Sequence, residues 1–340
     1  VIEKVKIINL QQAINRFGRL LTSSFVIFLL ASPGAAKDKL RISVAGFDGS
    51  SELLLVIGQE AQLFEKHGLK IELIAITGAA PSSGALSRGE TDIDARAPVN
   101  AIQAKLKGLD FTFVAAALNY LDYTIVTRPD ITNVQHLKGK KFGIVRFGGK
   151  TDLLVRYLFR SAGLEPARDF AVLQIGPPTA RIGAIQSGAI DATMLPPSQA
   201  YTAIKAGLKT MDIPYVPFLS GVLVTREAFA KTERPTLTRF LRAYIEAIHF
   251  FLTRNEESLN IISRAYRSQD RGWLEHFYRT HQQHQIGRKP FPNWEGVQVT
   301  LDMMASDTPG VKQLKARQLF DLSVLNELER TGFIDGLYAR

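Results

Sequence analysis

Residues 138–152 read Lys-Gly-Lys-Lys-Phe-Gly-Ile-Val-Arg-Phe-Gly-Gly-Lys-Thr-Asp and hold a dense set of groups able to grip a small ligand. A short β-run is followed by a glycine pair and then by an apolar pattern of helical spacing. A helix that starts behind such a loop has unpaired backbone N–H groups at its first turn, and these can point at a ligand. The tetrad Gly-Gly-Lys-Thr (148–151) resembles the end of a nucleotide-binding P-loop, but the spacing fails. With Gly149 as the second glycine of the motif, the first would have to stand at 144, which is Ile144; Gly143 is one residue out of register. The loop is therefore read as a cradle for a small solute.

The sign of the solute's charge is contested within the same stretch. Arg146 and Lys150, with Arg96 from an earlier loop, could pair with an anion, and a helix N-terminus favours one too. Against this, Asp152 occupies the first turn of the same helix, and Asp48 sits in the earlier loop Phe47-Asp48-Gly49-Ser50. An anionic head group, such as a sulfonate, carboxylate or nitrate, is the expectation. Arg181, at the start of its own helix, is read as an inter-element salt bridge or a clamp on carbonyl groups.

Other chemistries find less support. His276, His281 and His284 share one expected helix, and His281 and His284 lie on one face, but no carboxylate-rich partner accompanies them and no metal is expected. No Gly-x-Ser-x-Gly elbow occurs. The net charge of +10 comes from bases interleaved with acids, with no basic patch or stacking motif, so nucleic acid is not expected as a partner. No cofactor is expected.

The elements that must position these loops alternate strand and helix. Strands are expected at 40–45, 70–76, 93–95 and 111–117, with a helix at 52–67 ending on Gly68. A β-run at 123–127 leads into the glycine loop, and the rhythm begins again with 170–175, 190–194 and 210–213. A second β-run at 221–225 resembles the one at 123–127, each being followed by Arg. Helices then run to the end of the sequence at 236–253, 256–266, 270–285, 295–305 and 319–330. This pattern predicts an α/β fold of two doubly wound lobes with a helical C-terminal tail. Residues 39–122 and 222–340 would form the first lobe and 123–221 the second.

Solute then belongs in the crevice at the carboxyl ends of the strands, between the lobes. The candidate lining is Phe47, Asp48, Gly49, Ser50, Gly78, Arg96, Pro98, Asn119, Tyr120, Arg146, Phe147, Gly148, Gly149, Lys150, Thr151, Pro177, Pro196 and Tyr215. The aromatic residues among them could stack on a solute.

The first 36 residues stand apart. Lys4, Lys6, Arg16 and Arg19 precede an uncharged stretch at 20–36 that ends in small residues. That order describes a cleaved secretory signal peptide, and its removal would leave a net charge of +7. Export would permit disulfides, but the sequence has no cysteine, and a chain of 340 residues can be stabilised by its core alone.

Several stretches together resemble the periplasmic solute-binding proteins of ABC importers, in the nitrate/sulfonate/taurine and thiamine-precursor group. They are Gly-Leu-Lys-Ile-Glu-Leu (68–73), Ala-Leu-Ser-Arg-Gly-Glu-Thr-Asp (85–92), Leu-Lys-Gly-Lys-Lys-Phe-Gly-Ile (137–144), Gly-Gly-Lys-Thr-Asp (148–152), Ile-Gly-Ala-Ile-Gln-Ser-Gly-Ala-Ile-Asp-Ala (182–192) and Glu-Arg-Thr-Gly-Phe-Ile-Asp (329–335). The resemblance implies a type II binding-protein fold whose two lobes close on a solute about a two-segment hinge. It further implies a monomeric periplasmic receptor that delivers a small molecule to an ABC permease and its ATPase, with no catalysis. Lys150 and Arg96 depart from the smaller or polar residues usual in the group. Two alternatives share the fold: an enzyme of thiamine-pyrimidine synthesis, whose cysteine-rich motif this chain lacks, and a module reporting solute to a membrane sensor.

Overall fold

The computed structural model describes residues 38–46, 52–121, 123–211, 217–284, 286–305 and 307–339. The expected signal peptide at 1–36 lies outside the described residues. Among those described, no helix is long and apolar enough to cross a membrane.

The first lobe opens with β1 (Asp38–Val44), α1 (Leu53–Glu60), α2 (Leu63–Lys66), β2 (Leu69–Ala75), α3 (Ala79–Ser87), β3 (Ile93–Arg96), α4 (Pro98–Leu106) and β4 (Phe111–Tyr120). The chain then builds the second lobe from β5 (Thr124–Thr127), β6 (Lys141–Ile144), α5 (Lys150–Ser161), β7 (Ala171–Gln174), α6 (Pro178–Gln186), β8 (Ala192–Leu195), α7 (Pro197–Lys205) and β9 (Lys209–Met211). It returns through β10 (Pro217–Arg226) to the first sheet. The strand orders are β2-β1-β3-β10-β4 and β7-β6-β8-β5-β9. In each sheet three strands run parallel, and the crossover strand, β10 or β5, pairs antiparallel beside them.

The two sheets are built on the same sequence plan. Residues 84–98 and 183–197 align without a gap, from Gly84-Ala85 and Gly183-Ala184 to Pro98 and Pro197. Gly89 and Gly188 both take positive φ, at 74° and 76°, a turn that favours glycine. Three residues on, Asp92 accepts the Arg41 N–H of β1 at 2.9 Å, and Asp191 accepts the Lys141 N–H of β6 at 2.9 Å. An arginine, the last residue of β10 and the one just after β5, closes each motif. Arg226 approaches Asp92 at 3.8 Å, and Arg128 approaches Asp191 at 3.4 Å.

The helices that follow β10 are α8 (Glu227–Thr232), α9 (Arg234–Thr253), α10 (Asn255–Ala265), α11 (Arg271–His284), α12 (Trp294–Ala305), α13 (Ser323–Arg330) and α14 (Phe333–Tyr338). They do not form a separate body. Phe240, Tyr244, Ile248 and Phe251 of α9 bury one face of that helix in a core shared with Leu53, Ile57 and the strands β1–β3.

Two expected helices come out differently. The one expected at 52–67 breaks at Gln62, whose φ is 56°. The break brings the Phe64 ring onto Gly58, where a Cβ would stand 2.6 Å from the ring, and stacks it on Phe240 with centroids 5.6 Å apart. The helix expected from 319 starts only at Ser323, because Phe320 forms a bridge with Phe113 of β4 and packs edge-on to its ring. The β-run expected at 221–225 is longer, since β10 begins at Pro217, opposite Tyr120.

Candidate functional site

Five helices begin at the carboxyl ends of parallel strands: α3 after β2, α4 after β3, α5 after β6, α6 after β7 and α7 after β8. Their N-cap residues are Gly78, Ala97, Gly149, Pro177 and Pro196, and none of these five side chains caps its helix. Proline follows within the first turn of α4, α6 and α7, where its missing N–H costs the helix nothing. Free backbone donors thus collect at one end of each sheet.

These ends meet across the lobes. Arg146, in the β6–α5 loop, donates to Asn100 Oδ1 of α4 at 3.0 Å. Gln103, one turn further along α4, donates to the Gly148 carbonyl at 3.2 Å. The glycine loop therefore faces α4. Gly148 takes φ 67°, and a Cβ on Gly149 would stand 3.1 Å from Arg146 Cγ and 3.3 Å from the Arg146 carbonyl oxygen.

Within the loop, several side chains serve the loop itself. Asp152 is buried and accepts the Gly148 N–H at 2.8 Å and an Arg156 N–H at 3.0 Å. Its charge thereby answers the first turn of α5 locally. Thr151 Oγ1 accepts the Val145 N–H at 3.0 Å, and the Phe147 N–H donates to Gln174 Oε1 at 3.2 Å. The Phe147 ring has no such use and is 51% exposed.

The candidate cations are engaged too. Lys150 Nζ lies 4.8 Å from the centre of the Tyr123 ring and 3.4 Å from the Ser220 carbonyl, against both crossovers between the lobes. Arg96 is buried, pairs closely with Asp94 through Nε, and donates through Nη1 to Ser83 Oγ at 3.1 Å and to the Ala79 carbonyl at 3.3 Å. It ties the first turn of α3 to the end of β3. Burial pushes the Asp94 carboxyl up to about 6 against the pull of Arg96 and the Ser43 and Ser82 hydroxyls; burial also lowers the Arg96 guanidinium.

Arg181 does the same work in the second lobe without a carboxylate. It is fully buried and donates to the Gly176 carbonyl at 3.0 Å, to Thr193 Oγ1 at 3.0 Å and to the Met194 carbonyl. Of its two expected roles, the structure shows the clamp on carbonyl groups.

Asn119 binds away from the loops: its amide donates to the Phe291 carbonyl at 2.8 Å, and its Oδ1 accepts the Asn293 N–H at 2.9 Å. Phe47, Asp48, Gly49, Ser50 and Tyr215 lie outside the described residues, and of Tyr120 only the backbone pairing with Pro217 is described. His281 is buried, with Nδ1 2.7 Å from the Phe277 carbonyl of its own helix. The sequence reading missed Asn100 and Gln103 as contacts of the glycine loop. Their i, i+3 spacing behind Pro98 was the available signal, since it puts both on one helix face.

The model of the family described as NMT1/THI5 like matches residues 52–258. The chain belongs to this family. Over 256 residues it is 25% identical to a Bacillus subtilis (strain 168) protein described by name as aliphatic sulfonates-binding, covering 70% of this chain and 75% of that one. Over 145 residues, 41% of this chain and 40% of the other, it is 28% identical to the 4-amino-5-hydroxymethyl-2-methylpyrimidine phosphate synthase THI13 of Saccharomyces cerevisiae. Among solved structures it is similar to the periplasmic aliphatic sulphonate binding protein SsuA of Escherichia coli, with a TM-score of 0.66 and 17% identity. That match covers 84% of this chain and 91% of the SsuA chain. The chain has two α/β lobes linked by two crossovers, and the glycine loop of one faces α4 of the other.

Proposed function

We propose that the protein is the solute-binding receptor of an ABC importer, exported to the periplasm after cleavage near residue 36. It captures a small organic or inorganic anion between the lobes and passes it to a membrane permease. One observation carries the reading: helix N-termini left without side-chain caps are gathered at the facing strand ends of two lobes. Backbone donors held in this way suit a sulfonate, carboxylate or nitrate. The similarity to sulfonate-binding proteins supports the same class.

In this reading Gly78, Pro98, Gly148, Gly149, Pro177 and Pro196 shape the wall, and Phe147 covers an apolar part of the solute. Lys150 lends its charge from the crossovers. Arg96, Arg181 and Thr151 hold the loops in place without touching the solute, and Asn119 stands apart from them. No reaction is assigned in this reading.

A thermal-shift screen against short sulfonates, carboxylates, nitrate, pyrimidines and amines tests this. A true solute at 100 times its Kd adds about 2.7 kcal/mol of stability. Stabilisation by sulfonates, carboxylates or nitrate is the expected result. Stabilisation by amines alone would overturn the anion class, and turnover of any stabilising compound would overturn the receptor.

A further inference from the structure

A cavity of about 770 Å³ lies between α7 of the second lobe and the turn joining α10 to α11, helices that pack with the first lobe. It falls within the usual size range for small-molecule sites. Three aromatic side chains line it: Tyr201 from α7, Tyr266 from the turn and Trp273 from α11. The Trp273 indole N–H donates to the Ser198 carbonyl at 3.1 Å, and Gly272 leaves room for the Tyr201 hydroxyl where a Cβ would come within 2.6 Å. Each lobe thus supplies part of the wall.

Three charged side chains stand around these rings. Lys205 and Asp270 pair with each other at 2.6 Å and cancel. Arg267 is exposed and, among the described residues, pairs with no acid. Its backbone is unusual as well. It follows Tyr266, the C-cap of α10, and takes φ 52°, a conformation that helix ends commonly assign to glycine. An arginine at such a position carries a backbone cost that no acidic partner among the described residues offsets.

We propose that this cavity is a second small-molecule site, for a planar aromatic anion. The ring would lie among Tyr201, Tyr266 and Trp273, and Arg267 would take the negative group as a bidentate donor. Because the walls come from both lobes, an occupant holds α7 against α11. The site does not depend on which solute fills the cleft.

Benzoate is a suitable probe, with acetate as the ring-free control. The chain has two tryptophans, so a Trp294→Phe background leaves Trp273 as the reporting fluorophore. Benzoate is expected to change Trp273 emission saturably at up to millimolar concentrations, and acetate is not. Arg267→Gly relieves the backbone while removing the guanidinium. It is expected to melt no lower than its parent yet bind benzoate roughly tenfold or more weakly, the loss of a charge-assisted pair. An unchanged affinity in Arg267→Gly, or no saturable response in the parent, would overturn the site. A benzoate response that follows Phe147→Ala and ignores Arg267→Gly would place the ligand in the cleft, sinking this inference and leaving the receptor reading intact.

Discussion

Arg146 of the second lobe donates to Asn100 Oδ1 of the first at 3.0 Å, one helical turn from where Gln103 holds the Gly148 carbonyl. These two bonds latch the glycine loop onto α4. An exposed bond of this kind contributes about 0.5–1.5 kcal/mol, little for the fold but, in the proposed receptor, enough to bias the angle between the lobes. Arg146→Ala should leave the melting temperature nearly unchanged and enlarge the radius of gyration of the unliganded protein in X-ray scattering. The apparent solute affinity should fall several-fold as the closed fraction falls. An unchanged radius would mean that the latch does not set the lobe angle.

The Asp94–Arg96 pair makes a prediction of a different kind. Removing one member of a buried ion pair strands the other, at a cost of about 3–5 kcal/mol. Asp94→Ala, which removes the carboxyl together with its bond to the Ser82 hydroxyl, should therefore lower stability strongly. Burial holds the folded-state carboxyl up at about 6, above its value in the unfolded chain. Between those values the folded protein binds the extra proton, so this group's contribution is fully present at low pH and is lost as pH rises through about 6. The parent should consequently gain stability as pH falls from 6 toward the ordinary aspartate value of about 4, a gain that Asp94→Ala, with no carboxyl there to titrate, lacks. Chemical denaturation of both proteins across that window would show it, and a parent that loses more stability than the variant over that window would contradict the assignment.

How these features could be read from sequence depends on how local they are. The strand, glycine loop and helix at 141–161 follow from short-range pattern, and so does Asp152 answering its own helix. Asp94 and Arg96 stand two apart on β3 and so face the same side of the sheet, which made their pairing legible in principle. Arg96 was instead read as free for solute, because its burial depends on α3 folding over it. The Arg146–Asn100 latch and the Tyr201–Trp273 cavity join residues far apart in the chain, and no local period encodes them. The break at Gln62 is also tertiary in origin: a continuous helical pattern yields where Phe64 finds Gly58 and Phe240.

Gly296 tests how tightly the tail grips the return crossover. A Cβ there would come within 2.8 Å of the Phe218 backbone nitrogen and 3.2 Å of its Cα, so the clash is with β10 itself and not with a side chain that could turn away. Gly296→Ala should destabilise by about 1–3 kcal/mol, despite alanine's better helix propensity. A melt at or above the parent's temperature would show that α12 can back away from β10.

Phe147 carries the sharpest test of the cleft. Among the described residues it is one of two large apolar side chains left exposed, at 51%, and it sits beside the glycine pair of the loop that faces α4. Only about half of the side chain is covered by the unliganded fold, so Phe147→Ala should change the melting temperature modestly. Covering the exposed part of the ring with solute would contribute about 1–1.5 kcal/mol, half of what full burial of a phenylalanine contributes. Calorimetric titration with whichever anion stabilises the parent should therefore show a loss of about tenfold in Kd. The loss should grow with the apolar length of the anion and vanish for nitrate, which has no carbon to lay against the ring. Equal losses for nitrate and for a long sulfonate would mean that Phe147 acts on the loop and not on the solute.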